Sequence, residues 1–279
     1  MLIDTHAHLN FAVFKEDKKE VIKRSLDSNV WMVNIGTNFA TSQKAVDIAR
    51  DYETGVFASV GLHPINLETG LVRRKIDNLE GDTFEKEFDY EKYRKLASSK
   101  KVVAIGEVGL DYYWKPKTTR KKELFKQMQR DLLLEELKLA KELNLPVIFH
   151  CRMAHEDLIK ILKQQTTGNK LPRGVMHGFV GSTKELQKYL EMEFYIGFNG
   201  IIFKNIKGID FSENIKTTPL DEILIETDCP YLTPPEAGTD RNEPIFVEYV
   251  AQEIAKIKNQ SIEKISEITT QNARKLFNI

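Results

Sequence analysis

Eight short apolar segments recur along the chain, and this repetition restricts its fold more than any other feature of the sequence. Most neighbouring segments are separated by a stretch with helical periodicity. The clearest is 119–143, with an apolar stripe formed by Leu124, Met128, Leu132, Leu139 and Leu143. Such alternation is typical of α/β proteins with a parallel sheet. The apolar segments are LIDTHAHL (2–9), WMVNIGT (31–37), VFASVGLHP (56–64), KVVAIGEVGLD (101–111), PVIFHCR (146–152), RGVMHGFV (173–180), EFYIGFNGIIF (193–203) and EILIETDCPYLTP (222–234).

The number of units separates two possible architectures. Eight strand–helix units in 279 residues match a closed (β/α)8 TIM-type barrel. An open doubly wound sheet usually has a Gly-rich phosphate loop near its start, and the sequence contains no G-x-G-x-x-G or Walker motif. We therefore predict an α/β fold with one (β/α)8 barrel domain that spans residues 1–279.

Two regions add detail to this pattern. The long, highly charged stretch between Asn66 and Lys100 is expected to hold the third helix together with an inserted loop, because turn signals occur at Gly70 and Gly81. Residues 243–279 predict two helices that are separated near 259–261. Ser261, with Lys264 one turn later, is an incomplete helix-capping signal at that break.

Composition limits the classes of partner. Lysine plus arginine equal aspartate plus glutamate at 41 each, so a polyanion site must be local. The start of the chain lacks a basic segment followed by an apolar one, and no apolar run approaches the roughly 20 residues that span a bilayer. We expect a cytoplasmic protein without a membrane partner, and the sequence gives no basis to infer a protein partner. The two cysteines, Cys151 and Cys229, are expected to pack in the interior.

Polar side chains collect at the carboxyl ends of the predicted strands. Asp4, His6 and His8 alternate along the first strand and therefore share one face. The carboxyl ends of barrel strands converge on one mouth, where active sites are built. Imidazole and carboxylate groups together can bind two divalent ions, with one carboxylate as a bridge, and such ligands suit zinc, manganese or magnesium. The predicted metal ligands are His6, His8, Glu107, His150, His177 and Asp228.

The same motifs, taken in order, resemble the TatD family of metal-dependent hydrolases. They are IDTHAHLN (3–10), GLHP (61–64), AIGEVGLDYYW (104–114), FHCR (149–152), HGFVGS (177–182), GFNGIIFK (197–204), ETDCPYLTP (226–234) and RNEP (241–244). The resemblance implies a two-metal phosphodiesterase that acts on DNA, with exonuclease-like trimming. Because the chain has no net charge and little basic surface to hold a long duplex, we expect single-stranded ends to be the substrate. The resemblance also implies that His6, His8, Glu107 and Asp228 hold one ion, and that Glu107, as the bridge, holds the other with His150 and His177.

Further roles follow from the resemblance and from position. Asp228 and Glu107 are implied catalytic groups, and Asp228 would orient or deprotonate the attacking water. His63 would contact the scissile phosphate or the leaving group, and its alternative is a polar loop residue stiffened by Pro64. Arg152 shares a strand face with His150 and could clamp a phosphate oxygen, or it could be an ordinary surface arginine.

Aromatic and basic residues follow the fourth strand. Tyr113 and Trp114 precede KPKTTRKK, a combination that suits single-stranded DNA because bases stack on the rings while the charges attract phosphates. The alternative is that the lysines belong to the first turns of a helix and the aromatics pack beside it. Asn242 and Glu243 are expected to fasten the loop after strand eight.

Two other functions fit part of this pattern. A dinuclear site also polarises a carbonyl group, so an acyl or ester hydrolase such as an aminoacyl-tRNA deacylase is the alternative enzyme. A metal-stabilised binding protein without turnover is the third possibility. Many ligands open to a barrel mouth argue against that possibility, because structural metal sites are usually closed.

Overall fold

A computed structural model describes residues 1–72, 77–81, 84–165 and 171–279 of the chain. Within these residues, eight parallel strands form one sheet in sequential order. The sheet closes between its first and last strands, because Ala7 pairs with Cys229 and the N–H of Asp228 donates to the carbonyl of His6 at 2.8 Å. The predicted (β/α)8 barrel is confirmed. The strands are β1 (Leu2–Ala7), β2 (Val30–Ile35), β3 (Val56–Val60), β4 (Val102–Asp111), β5 (Val147–Arg152), β6 (Gly174–Met176), β7 (Tyr195–Phe198) and β8 (Ile223–Ile225).

Helices surround the sheet and bury an apolar face against it. They are α1 (Lys18–Asp27), α2 (Phe39–Arg50), α3 (Tyr90–Ala97), α4 (Thr119–Leu143), α5 (His155–Gln165), α6 (Thr183–Leu190), α7 (Phe211–Thr217), α8 (Val247–Lys258) and α9 (Ile262–Phe277). Short 3-10 turns are Ala12–Phe14, Gly200–Phe203, Leu220–Glu222, Pro235–Ala237 and Pro244–Phe246. No helix in the described part of the chain is long and apolar enough to cross a membrane.

Helix α4 shows how local sequence sets these boundaries. The Thr118 hydroxyl accepts from the N–H of Lys121 at the start of the helix, and Asn144 ends it in the left-handed conformation with φ 52°. The predicted apolar stripe is wrong at one position. Leu124 is 52% exposed, whereas the next residue, Phe125, is buried. Leu124 precedes Leu132 by eight residues, which turns its side chain about 80° away from the buried face.

The region between Asn66 and Lys100 holds α3, as predicted, and an inserted segment whose residues 73–76 and 82–83 lie outside the described part of the chain. Described residues of the insertion lie beside the mouth. Asp77 accepts from the Tyr231 hydroxyl at 2.7 Å. Glu80 accepts from the Asn66 amide at 2.8 Å and also from the hydroxyl of Thr37. The insertion therefore forms one wall of the opening.

The carboxyl-terminal tail forms the two predicted helices. They are α8 and α9, and the Ser261 hydroxyl accepts from the N–H of Lys264 at 3.2 Å as the cap of α9. Thus the incomplete capping signal marks a real helix start. Because α9 packs against β1 and β8, the tail covers the seam where the barrel closes.

Candidate metal centre

Glu107 lies at the centre of the barrel mouth, with imidazole rings on every side of its carboxylate. Its Oε1 lies 2.7 Å from His150 Nδ1, 3.2 Å from His63 Nε2 and 3.7 Å from His177 Nε2. Its Oε2 lies 3.2 Å from His6 Nε2. These side chains come from five different strands or strand ends, so barrel closure itself brings them together.

A second cluster adjoins Glu107. The Nε2 atoms of His6 and His8 are 3.2 Å apart, and Asp228 Oδ1 lies 3.8 Å and 3.4 Å from them, respectively. Asp228 adopts a φ of 59°, an uncommon conformation for a residue other than glycine. The backbone just before it is held by Asp4, which accepts from the N–H of Thr227 at 2.9 Å and from its hydroxyl at 2.6 Å. Asp4 thus supports the loop that presents Asp228.

The contacts of the outer ring nitrogens show which nitrogen of each histidine faces the centre. His8 Nδ1 lies 3.1 Å from the Ile35 carbonyl, so Nδ1 carries the proton and Nε2 has a free lone pair. His177 Nδ1 forms an ion-pair contact of 2.8 Å with Glu226 Oε1, and its Nε2 faces Glu107. His150 presents Nδ1 to Glu107, while its Nε2 lies 3.2 Å from Asp111 Oδ2. The rings of His8 and His177 are therefore oriented to present Nε2 to the centre, whereas the His150 ring is held between two carboxylates.

The pKa values reflect strong coupling among these buried groups. Burial lowers the pKa of His177, but the charges of Glu226 and Glu107 outweigh it and raise that pKa to about 10. His150 behaves in the same way, with Asp111 and Glu107 raising its pKa to about 9. Burial, helped by the charge of His177, lowers the pKa of His6 to about 4, so this ring is neutral. The carboxylates therefore favour positive charge at the places where the rings converge.

This donor set fits divalent cations. Three groups of side chains are close enough to share an ion, namely His6, His8 and Asp228; His6, Glu107 and His177; and His63, Glu107 and His150. Buried imidazole and carboxylate groups that crowd together need a cation or protons between them, because their lone pairs otherwise repel. Glu107 belongs to two of the three groups, and the groups differ from the predicted ligand sets, because His177 lies with His6 and His150 lies with His63. Among the described residues, these groups include neither Cys151 nor Cys229.

His63 differs from the other rings in its tautomer. Its Nδ1 accepts from the N–H of Ile65 at 3.0 Å, so in the neutral ring the proton is on Nε2. That Nε2–H faces Glu107. A protonated nitrogen has no lone pair for a metal, so this arrangement favours His63 as a hydrogen-bond donor to a ligand in the mouth.

The remaining predicted substrate-binding residues lie at the rim of the mouth. Arg152 is exposed, and its guanidinium carbon lies 3.8 Å from the centre of the Tyr113 ring. Trp114 is 47% exposed and meets the Tyr113 ring edge-on at 5.1 Å. The basic run splits, since Arg120, Lys121 and Lys122 lie in the first turn of α4. Tyr113 therefore contacts Arg152, and both aromatic rings remain partly accessible.

Two residues close to the candidate ligands were not assigned a role from sequence. Asp111 and Glu226 hold the outer nitrogens of His150 and His177. Glu226 is 1% exposed and also accepts from the N–H of Gly178 at 2.6 Å. The sequence did contain a signal for both residues. Glu226 is two residues before Asp228, and Asp111 is four residues after Glu107, so in an extended strand each lies on the same face as a candidate ligand.

The loop after β8 is fastened as expected. The Asn242 amide donates to the carbonyls of Thr227 at 3.0 Å and Tyr231 at 2.7 Å. Glu243 accepts from Arg24 through two hydrogen bonds of 2.7 and 2.8 Å. The sixth histidine, His155, is buried away from the cluster and contacts the Tyr189 hydroxyl and the Val180 carbonyl. It is a core histidine with satisfied hydrogen bonds.

A barrel whose mouth holds this imidazole and carboxylate cluster is typical of metal-dependent hydrolases. The family model described as TatD related DNase matches residues 3–278. The chain therefore belongs to the TatD family.

Individual relatives agree with this assignment. The chain is 39% identical over 281 residues to YabD of Bacillus subtilis, described as an uncharacterized metal-dependent hydrolase, and the match covers 100% of both chains. It is 32% identical over 284 residues to a protein of Pantoea ananatis named 3'-5' ssDNA/RNA exonuclease TatD, again with 100% of both chains covered. The crystal structure of YJJV, a TatD homolog from Escherichia coli K12, superposes with a TM-score of 0.81 and 28% identity, covering 100% of this chain and 98% of the other.

Proposed function

We propose that this metal-dependent hydrolase cleaves phosphodiester bonds of DNA, beginning at single-stranded ends, with two divalent ions held at the mouth of the barrel. The observation that carries the proposal is the position of Glu107 between two sets of ligands, with a hydrogen-bond donor and an arginine on the open side. The name of the Pantoea ananatis relative supports a nucleic-acid substrate.

The proposed ligand sets are those that the resemblance to the TatD family implies. His6, His8, Glu107 and Asp228 would hold one ion, while Glu107, His150 and His177 would hold the other. Bound there, zinc, manganese or magnesium would lower the pKa of water and neutralise charge that develops at phosphorus.

The protein's own groups have separate tasks in this reaction. Although burial opposes ionisation, His8 and the neighbouring imidazoles hold the pKa of Asp228 below its usual range. Asp228 is therefore ionised and can accept a proton from the attacking water. The water oxygen forms a bond to phosphorus, and the bond from phosphorus to the departing sugar oxygen breaks. His63 Nε2–H would donate to the phosphate or to that departing oxygen.

The space above the cluster favours a chain end over a duplex. The chamber lined by His8, His63, Glu107, Arg152 and Tyr231 has a volume of about 220 Å³. Pockets that enclose a whole small ligand usually measure roughly 300–1,000 Å³. A chamber of this size suits a phosphate and part of its sugar, which a frayed end presents more readily than a stacked helix does.

Initial rates on end-labelled substrates test the proposal. Metal-loaded protein is compared on single-stranded, overhanging, blunt-ended and circular single-stranded DNA, with single-stranded RNA and aminoacyl-tRNA alongside. We expect the fastest hydrolysis on linear single strands. Equal rates on circular and linear strands would contradict end-dependence, and cleavage of aminoacyl-tRNA alone would establish the alternative acyl hydrolase.

A ligand variant connects the activity to the cluster. His6→Ala should lose bound metal and DNA hydrolysis together, because its Nε2 lies beside both Glu107 and Asp228. His155→Ala removes a histidine outside the cluster and is the matched control, which should keep its metal. Full activity in His6→Ala would refute the assignment of the site.

A further inference from the structure

A second cavity opens beside the metal chamber. Its volume is about 450 Å³. The two cavities share Ile65, which lines both of them. We call the second cavity the side groove. Its lining is mostly apolar and includes Pro64, Ile65, Leu67, Trp114 and Phe125, while Glu68 and Thr69 are polar residues in its wall.

Size indicates how a ligand would divide between the two cavities. The chamber is smaller than a typical small-molecule pocket, whereas the side groove falls within the usual range of roughly 300–1,000 Å³. A nucleotide whose phosphate lies against His63 and Arg152 cannot also place its base in the chamber. Because Pro64 and Ile65 directly follow His63 in the chain, the side groove begins within two residues of the proposed phosphate contact.

The chemistry of the side groove suits a flat, weakly polar ring. Trp114 is 47% exposed. Phe125, which lines the same cavity, is buried and only 6% exposed. Tyr113 contacts Trp114 edge-on, so the indole is supported from one side. Stacking on an aromatic ring accepts every base, because each base has a π-face. Lys115 and Lys117 are exposed next to Trp114 and add positive charge where neighbouring phosphates would lie.

We propose that the side groove binds a base of single-stranded nucleic acid, belonging to the nucleotide that adjoins the scissile phosphate. Trp114 is the stacking surface, and Arg152, held by the ring of Tyr113, is the phosphate contact. The two aromatic residues thereby have different tasks. This inference rests on the proposed function, since it assumes a phosphodiester in the metal chamber.

Intrinsic fluorescence can detect the base directly. The chain has two tryptophans, and Trp31 packs against Phe57 and Arg274 and is not among the described residues that line either cavity. The conservative variant Trp31→Phe therefore leaves Trp114 as the single reporter. Metal-loaded Trp31→Phe protein is titrated with a thymidine tetranucleotide whose linkages carry one sulfur each to slow hydrolysis. A tetranucleotide with the same linkages and no bases is the comparison.

Stacking should quench the Trp114 emission at least twofold with the thymidine tetranucleotide and leave it unchanged with the abasic one. Equal quenching by both would overturn the proposal, because it would show that only the backbone is bound. If the emission is unchanged with both tetranucleotides in a protein that hydrolyses DNA, the proposal that the side groove binds a base would also be overturned. The proposed function would remain intact.

Binding of the thymidine tetranucleotide to otherwise unaltered protein gives an independent measurement. Trp114→Ala should weaken it about tenfold, which corresponds to about 1.4 kcal/mol. Trp114→Phe, which keeps a ring, should recover most of the affinity. Leu134→Ala, at a 38% exposed position on α4, is the control for loss of an exposed apolar side chain. Unaltered binding in Trp114→Ala would overturn the proposal. Failure to hydrolyse any nucleic acid would instead overturn the proposed function, and base-dependent quenching would still establish the side groove.

Discussion

The contact between Glu226 and His177 leads to a testable prediction, because it orients a proposed metal ligand through the ring nitrogen that faces away from the centre. Glu226 Oε1 lies 2.8 Å from His177 Nδ1 and accepts from the N–H of Gly178 at 2.6 Å. The other oxygen has little room, since a side chain at Gly197 would come within 2.5 Å of it. Glu226 is therefore held in one orientation, and it sets both the tautomer and the direction of the His177 ring.

The geometry allows an estimate of the effect of Glu226→Gln. A glutamine oxygen in the place of Oε1 keeps both contacts but removes the negative charge. Hydrogen bonds to a charged group are about twice as strong as neutral ones. Loss of a contact behind a metal ligand typically costs roughly 10–100-fold in metal affinity. We expect Glu226→Gln to lie near tenfold, or about 1.4 kcal/mol, and Glu226→Ala to approach a hundredfold.

Metal titration by calorimetry or with a competing chelator measures this effect. Glu222→Gln, a glutamate at the amino-terminal end of β8, is the matched control and should bind metal normally. Nuclear magnetic resonance of the protein, after a chelator has removed its metal, gives a second measurement, the pKa of His177. The charge of Glu226 raises the pKa of His177, so this pKa should fall in Glu226→Gln. Unchanged metal affinity together with an unchanged His177 pKa would refute the reasoning.

Three further variants test other parts of the site and the barrel. Arg152→Ala should keep its metal but lose about 10²-fold in DNA hydrolysis, with partial recovery in Arg152→Lys; loss of metal would show a supporting role instead. His63→Ala should also keep its metal while the turnover rate falls by about 10² or more, because Nε2 carries a proton; metal loss there would make His63 a ligand. Burial raises the pKa of Glu136 well above its usual 4.5. Above pH 4.5 the carboxyl group therefore loses its proton in the unfolded chain but keeps it in the folded protein. The free energy of unfolding then falls as pH rises, by up to about 1.4 kcal/mol per pH unit. Glu136→Gln should flatten this fall in urea unfolding measured from pH 4.5 upward, and parallel curves for the two proteins would contradict it.

Much of the fold could be predicted from the sequence because its signals are local. Apolar runs of strand length, separated by helical periodicity, determine eight strand–helix units, and the bounds predicted for 119–143 coincide with those of α4. The phase of the helix was harder to predict, as Leu124 shows, because a small rotation moves a residue off the buried face.

The identity of the candidate ligands was also accessible from the sequence. Alternate side chains at the carboxyl end of a barrel strand face the mouth, so residue type, alternation and strand end together indicate the cluster. Tautomers could not be predicted, since they depend on contacts from other parts of the chain. His8 is oriented by the Ile35 carbonyl and His177 by Glu226, which lies 49 positions further along the sequence.

Tertiary structure alone decided the shape of the space around the cluster. The wall formed by Asp77 and Tyr231 joins residues that are 154 positions apart, and the side groove brings Leu67 and Phe125 together. Sequence periodicity does not predict such pairings, because they arise only when the strands close into a barrel and the loops pack over its mouth. The sequence by itself therefore determined which groups converge, whereas closure of the barrel decided the spacing, orientation and accessible volume on which their chemistry depends.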